Sequence, residues 1–435
     1  MKLQENKGTK DYLPEEQIIR NKIIDILRSN FENYGYNPIE TSILEFWEVG
    51  ANKYAGGDEI LKETYKLKDQ GKRELLLRYE LTFKLAKLIG MNPTMRMPFK
   101  RYEIGKVFRD GPVKTGRLRE FTQCDVDIIG VQSKIVDAEL IKMAFDIFKQ
   151  LNLNVYAQVN SRQLLYGLFE WAGIKNSDEA ALSLDKLEKI GQQKVKDEML
   201  DKKINEKAID KVFEFLNQTK GKTNEEIIQK YEKINNDKIK IGLNEIKDFM
   251  KFIDYFDNES DMNIKLTPTL ARGLGYYTGI MWEFFLENSK IKSSIAAGGR
   301  WDKMIQQFIG SNREYPATGI SFGLATIQAA IEENKDSKNK IKWDIPKIYI
   351  IPVDEKQLKY CVKIGNQLRQ ENISCDIAYD KKLMKAINYA DKQKIGWVII
   401  AGEEEETQNK IKLKNMKTGK EQITTIDKCI EELKK

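Results

Sequence analysis

The chain has 435 residues, 41% of them hydrophobic, and its 73 lysines and arginines outweigh 66 acidic side chains to give a formal charge of +7. It contains no histidine, which excludes Ser-His and Cys-His nucleophile pairs, HExxH metalloprotease chemistry and histidine-ligated catalytic metals. Core material on this scale serves two or three domains, and the mild basic surplus permits a nucleic-acid partner without demanding one.

No run approaches the ~20 apolar residues that span a bilayer, and the opening segment MKLQENKGTKDYLP lacks the apolar core of a signal peptide. No membrane partner is expected, and a cytoplasmic location is the default. Cys124, Cys361, Cys375 and Cys429 lie far apart without a CxxC pair, against both a disulfide framework and a zinc ribbon.

In chain order, Pro14 opens a helix whose Ile18, Ile19, Ile23, Ile26, Leu27 and Phe31 recur at helical spacing until Tyr34 and Gly35 stop it. Residues 36–47 read as extended, 74–79 as a strand and 82–89 as a helix. In residues 101–109, strand period puts Arg101, Glu103, Gly105, Val107 and Arg109 on one face. A Gly/Pro loop at Gly111, Pro112 and Gly116 follows. The strand resumes at Glu120, sending Gln123, Asp125 and Asp127 to one side and Thr122, Cys124, Val126 and Ile128 to the other. The apolar side is expected to pack, and the polar side to meet a cavity or solvent. A polar strand face beside paired arginines suits an anionic ligand.

A strand at 155–159 precedes a further helix, and residues 177–256 turn to charged sequence with helical apolar spacing, an all-helical insertion. Strand character returns at Ile264 and runs through ARGLGYYTGIMWEFFL, SSIAAGGRWDKMI and ATGISFGLATI. After a charge-dense linker at 333–342 comes an alternating pattern of its own: strand 347–352, helix 358–370, strand 374–379, helix 383–394, strand 397–401. There is no internal repeat.

These residues carry a family resemblance over almost the whole chain. GTKDYLP at 8–14 and GYNPIETSILE at 35–45 resemble the first, dimer-forming motif of class II aminoacyl-tRNA synthetases; LRYELT at 77–82 and residues 108–127 resemble the second; GISFGL at 319–324 resembles the third. ARGLGYYTG at 271–279 and AAGGRWD at 296–302 resemble two motifs peculiar to the histidyl-tRNA synthetases. The implied fold is α/β with an α+β core: an antiparallel-sheet catalytic domain in two parts, 1–170 and 259–332, around a helical insertion, 171–258. A linker at 333–345 then leads to a C-terminal α/β anticodon-binding domain, 346–435.

The resemblance implies activation of L-histidine by ATP, with Mg²⁺ on the leaving pyrophosphate, then transfer to tRNA(His). By motif position Arg109 and Arg272 are the catalytic arginines on the α-phosphate. Arg109, Arg117, Arg119, Phe121 and Gly323 would hold ATP. Glu80, Thr82 and Gln123 would take the ammonium end of histidine, and Asp127, Tyr276 and Tyr277 would face the imidazole. Glu283, Gly298, Gly299 and Arg300 would support the histidine motifs. Read alone, Tyr276 and Tyr277 also suit sheet-face packing, and Gly298-Gly299 a tight turn. Metal ligands are unassigned. The implied partners are tRNA, histidine, ATP and a second copy of the chain in a C2 dimer; Lys381, Lys382, Lys385, Lys392 and Lys394 would contact anticodon-loop phosphates, and the helical insertion would touch the acceptor arm.

Four positions depart from the family pattern: Gly111 where a glutamate near adenine is common, Ser42 for a proline, Gly275 for an acidic residue, and Ala325-Thr326 for Glu-Arg. Arg313 and Lys303 are candidates to replace the missing arginine. The departures keep open a non-acylating paralogue, such as the regulatory subunit of ATP phosphoribosyltransferase. A synthetase for proline or threonine would share the tail domain without RGLGYYTG and AAGGRWD.

Overall fold

The computed structural model describes residues 3–51, 58–113, 118–257, 261–272, 275–334, 348–380 and 382–434. The chain divides into two compact units, Met1–Ile341 and Lys342–Lys435.

The first unit opens with α1 (Pro14–Asn33), where proline at the first helical position and Glu15 and Glu16 in the first turn suit the unpaired amide end. Its buried stripe includes Ile23, Leu27 and Phe31. β1 (Asn37–Pro38) follows, then β2 (Leu44–Phe46), α2 (Trp47–Ala51), α3 (Asp58–Lys62), β3 (Lys66–Lys68) and β4 (Glu74–Leu77). The extended run expected at 36–47 is therefore two short strands, and Trp47 already starts a helix. β2, β4 and β3 make a small sheet in that order.

α4 (Thr82–Met91), β5 (Phe99–Phe108), β6 (Glu120–Ile129), α5 (Ile135–Gln150), β7 (Val155–Ser161) and α6 (Arg162–Ala172) come next. Six helices then run from α7 (Ser177–Leu184) through α8 (Leu187–Ile190), α9 (Gln192–Asp201), α10 (Glu206–Gln218), α11 (Asn224–Glu232) and α12 (Asp237–Phe256). Their starts are written in the sequence: Asn176, Asn205, Thr223 and Asn236 each accept a first-turn amide, Thr223 with Glu226 as a capping box. Gly167 and Gly242 let α6 and α12 close on each other, since a Cβ at Gly242 would stand 2.5 Å from the Leu164 amide nitrogen. The core of these helices also takes in Leu266, Ala271 and Met281.

β8 (Ile264–Leu266), β9 (Ile280–Leu286), β10 (Ala296–Arg300), α13 (Met304–Ile309), β11 (Ala317–Gly323) and α14 (Leu324–Glu333) complete the unit. The large sheet has the order β1-β5-β6-β11-β10-β9-β7-β8, antiparallel from β5 to β7 and parallel at its two outer pairs. Its back face carries an aromatic cluster: Phe31, Tyr102, Phe148, Phe284 and Phe322 pack at centroid distances of 5.4–5.8 Å. Each such buried ring contributes about 1.5–3 kcal/mol. The front face is set by register, with Arg101 opposite Asp127, Glu103 opposite Asp125 and Gly105 opposite Gln123. Gly319, Ser321 and Gly323 then lie opposite Asp127, Asp125 and Gln123.

The second unit is a five-stranded sheet, β13 (Cys375–Ile377), β12 (Ile348–Pro352), β14 (Trp397–Ala401), β15 (Ile411–Asn415) and β16 (Glu421–Thr424) in spatial order. β12 pairs parallel with β13 and β14, and the last two strands run antiparallel. Ile348 and Ile350 join the core that holds helix Leu358–Gln370, while Tyr349 and Ile351 join the core that holds helix Leu383–Lys392. That helix stops two residues before the expected 394, where Lys394 takes a left-handed φ of 54°.

Candidate active site

The front face is polar but not open: Arg101 and Glu103 are 0% and 1% exposed, Asp125 and Asp127 3%. Alternation assigned the side of Gln123, Asp125 and Asp127 to a cavity or solvent, and the structure buries Asp125 and Asp127 in a layer with Arg101 and Glu103. Ionised groups persist in such a place only when matched. Glu103 accepts from Arg78 Nη1 at 2.8 Å and from the Thr41 amide at 2.9 Å. Gly105 is what admits Arg78, because a Cβ there would sit 2.2 Å from Nη2. Arg101 Nη2 lies 2.5 Å from Asp127 Oδ2, a charge contact without hydrogen-bond alignment, since neither atom has a hydrogen-bond partner. Burial pushes the Asp127 carboxyl up to about 6 against the pull of Arg101, with Glu80 and Glu103 adding to the rise.

Arg109 follows β5 and is clamped between two rings, its guanidinium 4.3 Å from the Tyr79 centroid and 5.0 Å from that of Phe121. Its Nε donates to the Tyr79 carbonyl at 3.2 Å, and its Nη2 reaches Gln123 Oε1 at 3.5 Å. The cation is thus held flat by aromatic faces with donors to spare. Glu80 precedes α4 and accepts the amides of Thr82 and Phe83 at 2.8 and 2.6 Å. It therefore serves as a helix cap as well as a site carboxylate. Burial raises its pKa against those bonds and against Arg109. The same carboxylate acts on Asp125, Asp127 and Tyr276.

Across the sheet, Arg272 pairs with Glu283 of β9 and lies 5.6 Å from the Tyr277 ring. Tyr276 and Tyr277 pack at 4.8 Å, tilted by 42°. Burial raises the Tyr276 hydroxyl well above its usual range, as do Tyr277 and Glu80, so it stays a neutral donor. Gly299 lies under Tyr277, where a Cβ would stand 2.9 Å from the ring and 2.7 Å from the Ile280 carbonyl. Glu80, Gln123, Asp127, Tyr276, Tyr277 and the two arginines are thus linked by contact or field into one site.

Other expected residues sit elsewhere. Arg300 and Gly298 alternate to the back face: Arg300 is 1% exposed and donates to Asp137, Val131 and Ser133, bracing α5. It does order nearby carboxylates, Asp137 and Asp302. Arg119 turns into its own loop, pairing with Asp110 at 3.0 Å and donating to the Gly111 carbonyl at 3.2 Å. Arg117 lies outside the described residues. Gly323 ends β11, where the hydroxyl of Thr326 folds back on its carbonyl at 2.8 Å. Arg313 stacks at 5.1 Å on Tyr315, before the opposite end of β11, and Lys303 likewise adjoins that end through Trp301. Neither replaces an arginine beside Gly323, about 20 Å along the strand. At the unexpected Gly111, the Glu63 carboxylate fills the space, 2.7 Å from where a Cβ would be.

The residues that motif reading left out of the site are Arg101, Glu103, Asp125 and Ser321. Asp125 stood in plain view between Gln123 and Asp127. Ser321 Oγ accepts from Gln123 Nε2 at 2.8 Å and donates to Asp125, a partnership that needs the register of β11 against β6. Among the described residues no group of three acidic or cysteine side chains converges on a metal-sized site, and no helix is long and apolar enough to cross a membrane.

A family model described as histidyl-tRNA synthetase matches residues 8–327, and one described as an anticodon binding domain matches 347–435. Histidine–tRNA ligase 1 of Bacillus cereus is 45% identical over 427 residues, 97% of each chain. Histidine–tRNA ligase of Clostridium tetani is 35% identical over 98% of this chain and 97% of its own. The crystal structure of histidyl-tRNA synthetase from Nostoc sp. PCC 7120 superposes with a TM-score of 0.84 at 27% identity, covering 100% and 99% of the two chains. An ATP phosphoribosyltransferase regulatory subunit/histidyl-tRNA synthetase from Bacillus halodurans C shares the fold at a TM-score of 0.74 and 19% identity, covering 92% of this chain and 99% of its own. With two motifs, a front-face site and near-complete relatives in agreement, the chain belongs to the histidyl-tRNA synthetase family.

Proposed function

We propose that this chain is a histidine–tRNA ligase whose adenylate-forming site is the front face between Arg109 and Arg272. A histidine carboxylate oxygen attacks the α-phosphate of ATP, the bond to pyrophosphate breaks, and the acyl group of the adenylate then passes to the terminal ribose of tRNA(His). The nucleophile of the first step is the substrate's own carboxylate, so no protein base is required, in keeping with a chain without histidine. What the protein supplies is positive charge aimed at the phosphate oxygens and a shaped pocket. Arg109 and Arg272 approach from opposite sides. Phe121 and Gly323 belong to the ATP side; motif position alone adds Arg117, outside the described residues, and Arg119, which in the structure pairs with Asp110. Glu80, Thr82 and Gln123 take the ammonium, and Asp127 with Tyr276 and Tyr277 takes the imidazole, whose N–H needs an acceptor and whose other nitrogen needs a donor.

Mg²⁺, if bound with ATP, would supply positive charge to offset that of the leaving pyrophosphate. The second-copy interface is the first motif: Ile43, Leu44 and Phe46 are 40–48% exposed on and beside the edge strand β2, an apolar edge that a C2 partner covers. In the C-terminal unit Lys382, Lys385, Lys392 and Lys394 are exposed and suit anticodon-loop phosphates; Lys381 lies outside the described residues. A cytoplasmic location follows from work in translation.

The observation that carries this reading is the shared front face of Arg109, Gln123 and Asp127 with Tyr276, Tyr277 and Arg272 across from it. Amino-acid-dependent ATP–pyrophosphate exchange with each of the twenty amino acids tests it. Exchange with histidine alone is expected. A folded protein exchanging with none points to a regulatory paralogue.

A further inference from the structure

Asp125 Oδ1 is the end point of two hydrogen bonds on the front face. Ser321 Oγ donates to it, and Gln123 Nε2 approaches it at 3.4 Å. Gln123 Nε2 also donates to Ser321 Oγ at 2.8 Å. These bonds have a direction. A serine hydroxyl has one proton; once that proton goes to Asp125, Ser321 Oγ can only accept, and what it accepts from must be the NH₂ end of Gln123. The amide oxygen of Gln123 is then turned the other way, toward Arg109.

Among the described residues nothing else fixes that orientation firmly. Arg109 Nη2 stands 3.5 Å from Gln123 Oε1, at the outer limit of a hydrogen bond and too long to hold an amide by itself. The orientation matters because both groups meeting this end of Gln123, a guanidinium and a substrate ammonium, are donors without acceptors. A reversed amide would turn N–H groups toward two cations.

The charged groups around Asp125 are Arg101 and Glu103 from β5, Asp127 on its own strand and Glu80 ahead of α4. Arg101 is in contact with Asp127, and Glu103 is bonded to Arg78. Asp125 is left with uncharged partners, so what it offers its neighbours is an acceptor oxygen in a fixed place.

We propose that Asp125, acting with Ser321, is a positioning residue that locks the Gln123 amide with its oxygen toward the ammonium group of the amino-acid substrate. The inference rests on the reading of Gln123 as an ammonium ligand.

Steady-state exchange with varied histidine and varied ATP tests it in Asp125→Ala, Asp125→Asn, Ser321→Ala and Gln123→Ala, with a thermal melt on each. Asp125→Ala raises the histidine KM about ten- to a hundredfold, while the ATP KM and the kcat at saturating histidine stay within about threefold. Asp125→Asn keeps an acceptor for Ser321 and returns the histidine KM to within about threefold of wild type. Ser321→Ala falls between, at about three- to tenfold, because Gln123 Nε2 still reaches Oδ1 directly.

An unchanged histidine KM in Asp125→Ala overturns the proposal. So does a fall in kcat and ATP affinity alongside it, the mark of general disruption, and so does Asp125→Asn as damaged as Asp125→Ala, which would make charge the requirement. Should Asp125→Ala fail to fold, an unchanged histidine KM in Ser321→Ala is the overturning result. Gln123→Ala separates the two layers. If it leaves the histidine KM untouched, the ammonium-site reading falls; if it raises KM while Asp125→Ala does not, only the positioning role falls.

Discussion

The two larger of the three sheets bury their central strands on both faces, and they fill those faces differently. In the C-terminal unit β12 sends Ile348 and Ile350 one way and Tyr349 and Ile351 the other, each into an apolar core. Gln357 is the one buried polar side chain of that unit among the described residues. In the catalytic unit β5 and β6 have an apolar back face and a front face of Arg101, Glu103, Asp125 and Asp127, all at most 3% exposed. Burying four ionisable groups is costly for a fold. A sheet does not need such a layer, as β12 demonstrates, and in the catalytic unit the layer coincides with the face where we propose that the substrate is met.

Breaking one member of each layer sharpens that contrast. Arg101→Met removes the cation touching Asp127 and is expected to destabilise the catalytic unit by about 3–5 kcal/mol near neutral pH, measured by urea unfolding. The loss shrinks as pH falls through about 6, where Asp127 takes up a proton. Ile350→Ala opens a cavity in the C-terminal unit and costs about 2–5 kcal/mol with no such pH dependence. Equal pH dependence in the two variants would refute the charged-layer account.

Arg272→Ala asks whether the far side of the front face acts on substrate or holds the fold. Loss of one charge-stabilising donor predicts about a hundred- to a thousandfold fall in histidine-dependent exchange, with the oligomeric state and the melting curve unchanged. Loss of folding would make the pair with Glu283 structural.

Much of this contrast is legible in sequence, because alternation is local. The period of two in residues 120–128 separates Gln123, Asp125 and Asp127 from Cys124, Val126 and Ile128, and the same rule, applied to AAGGR, would have sent Arg300 to the back face. The helical insertion is equally plain, since Asn176, Asn205, Thr223 and Asn236 mark its helix starts. What local pattern cannot carry is register between strands distant in the chain. Ser321 meets Gln123 and Asp125 across 198 and 196 positions, and Arg101 reads as one more strand arginine until β6 is laid against β5. The filling of the Gly111 gap by Glu63 is of the same kind.

A smaller effect concerns pH. Burial pushes the Asp125 carboxyl up to about 8, Asp127 adding to the rise and Arg101 opposing it. The folded chain then holds a proton that the unfolded chain has released above about pH 4. Stability is therefore fully present below that value and lost as pH rises through about 8. The melting temperature of the ligand-free protein should fall between about pH 5 and pH 8, and Asp125→Asn should flatten the upper part of that fall. A wild-type curve level across this range would show that Asp125 is ionised throughout.

The smallest effect lies where charge stays in water. Lys382 precedes helix Leu383–Lys392, Lys385 lies in its first turn, and both are exposed, so their removal leaves both cores untouched and changes only the field met by a polyanion. The double variant Lys382→Ala/Lys385→Ala should leave histidine-dependent exchange unaltered, because that step uses no tRNA. In aminoacylation its KM for tRNA should rise about three- to tenfold, and the slope of log affinity against log salt should lessen by about one to two, the signature of lost phosphate contacts. A KM shift without a change in salt slope would mean that these lysines act by shape, and a fall in exchange itself would erase the distinction between a sheet charged for chemistry and one that carries its charge outside.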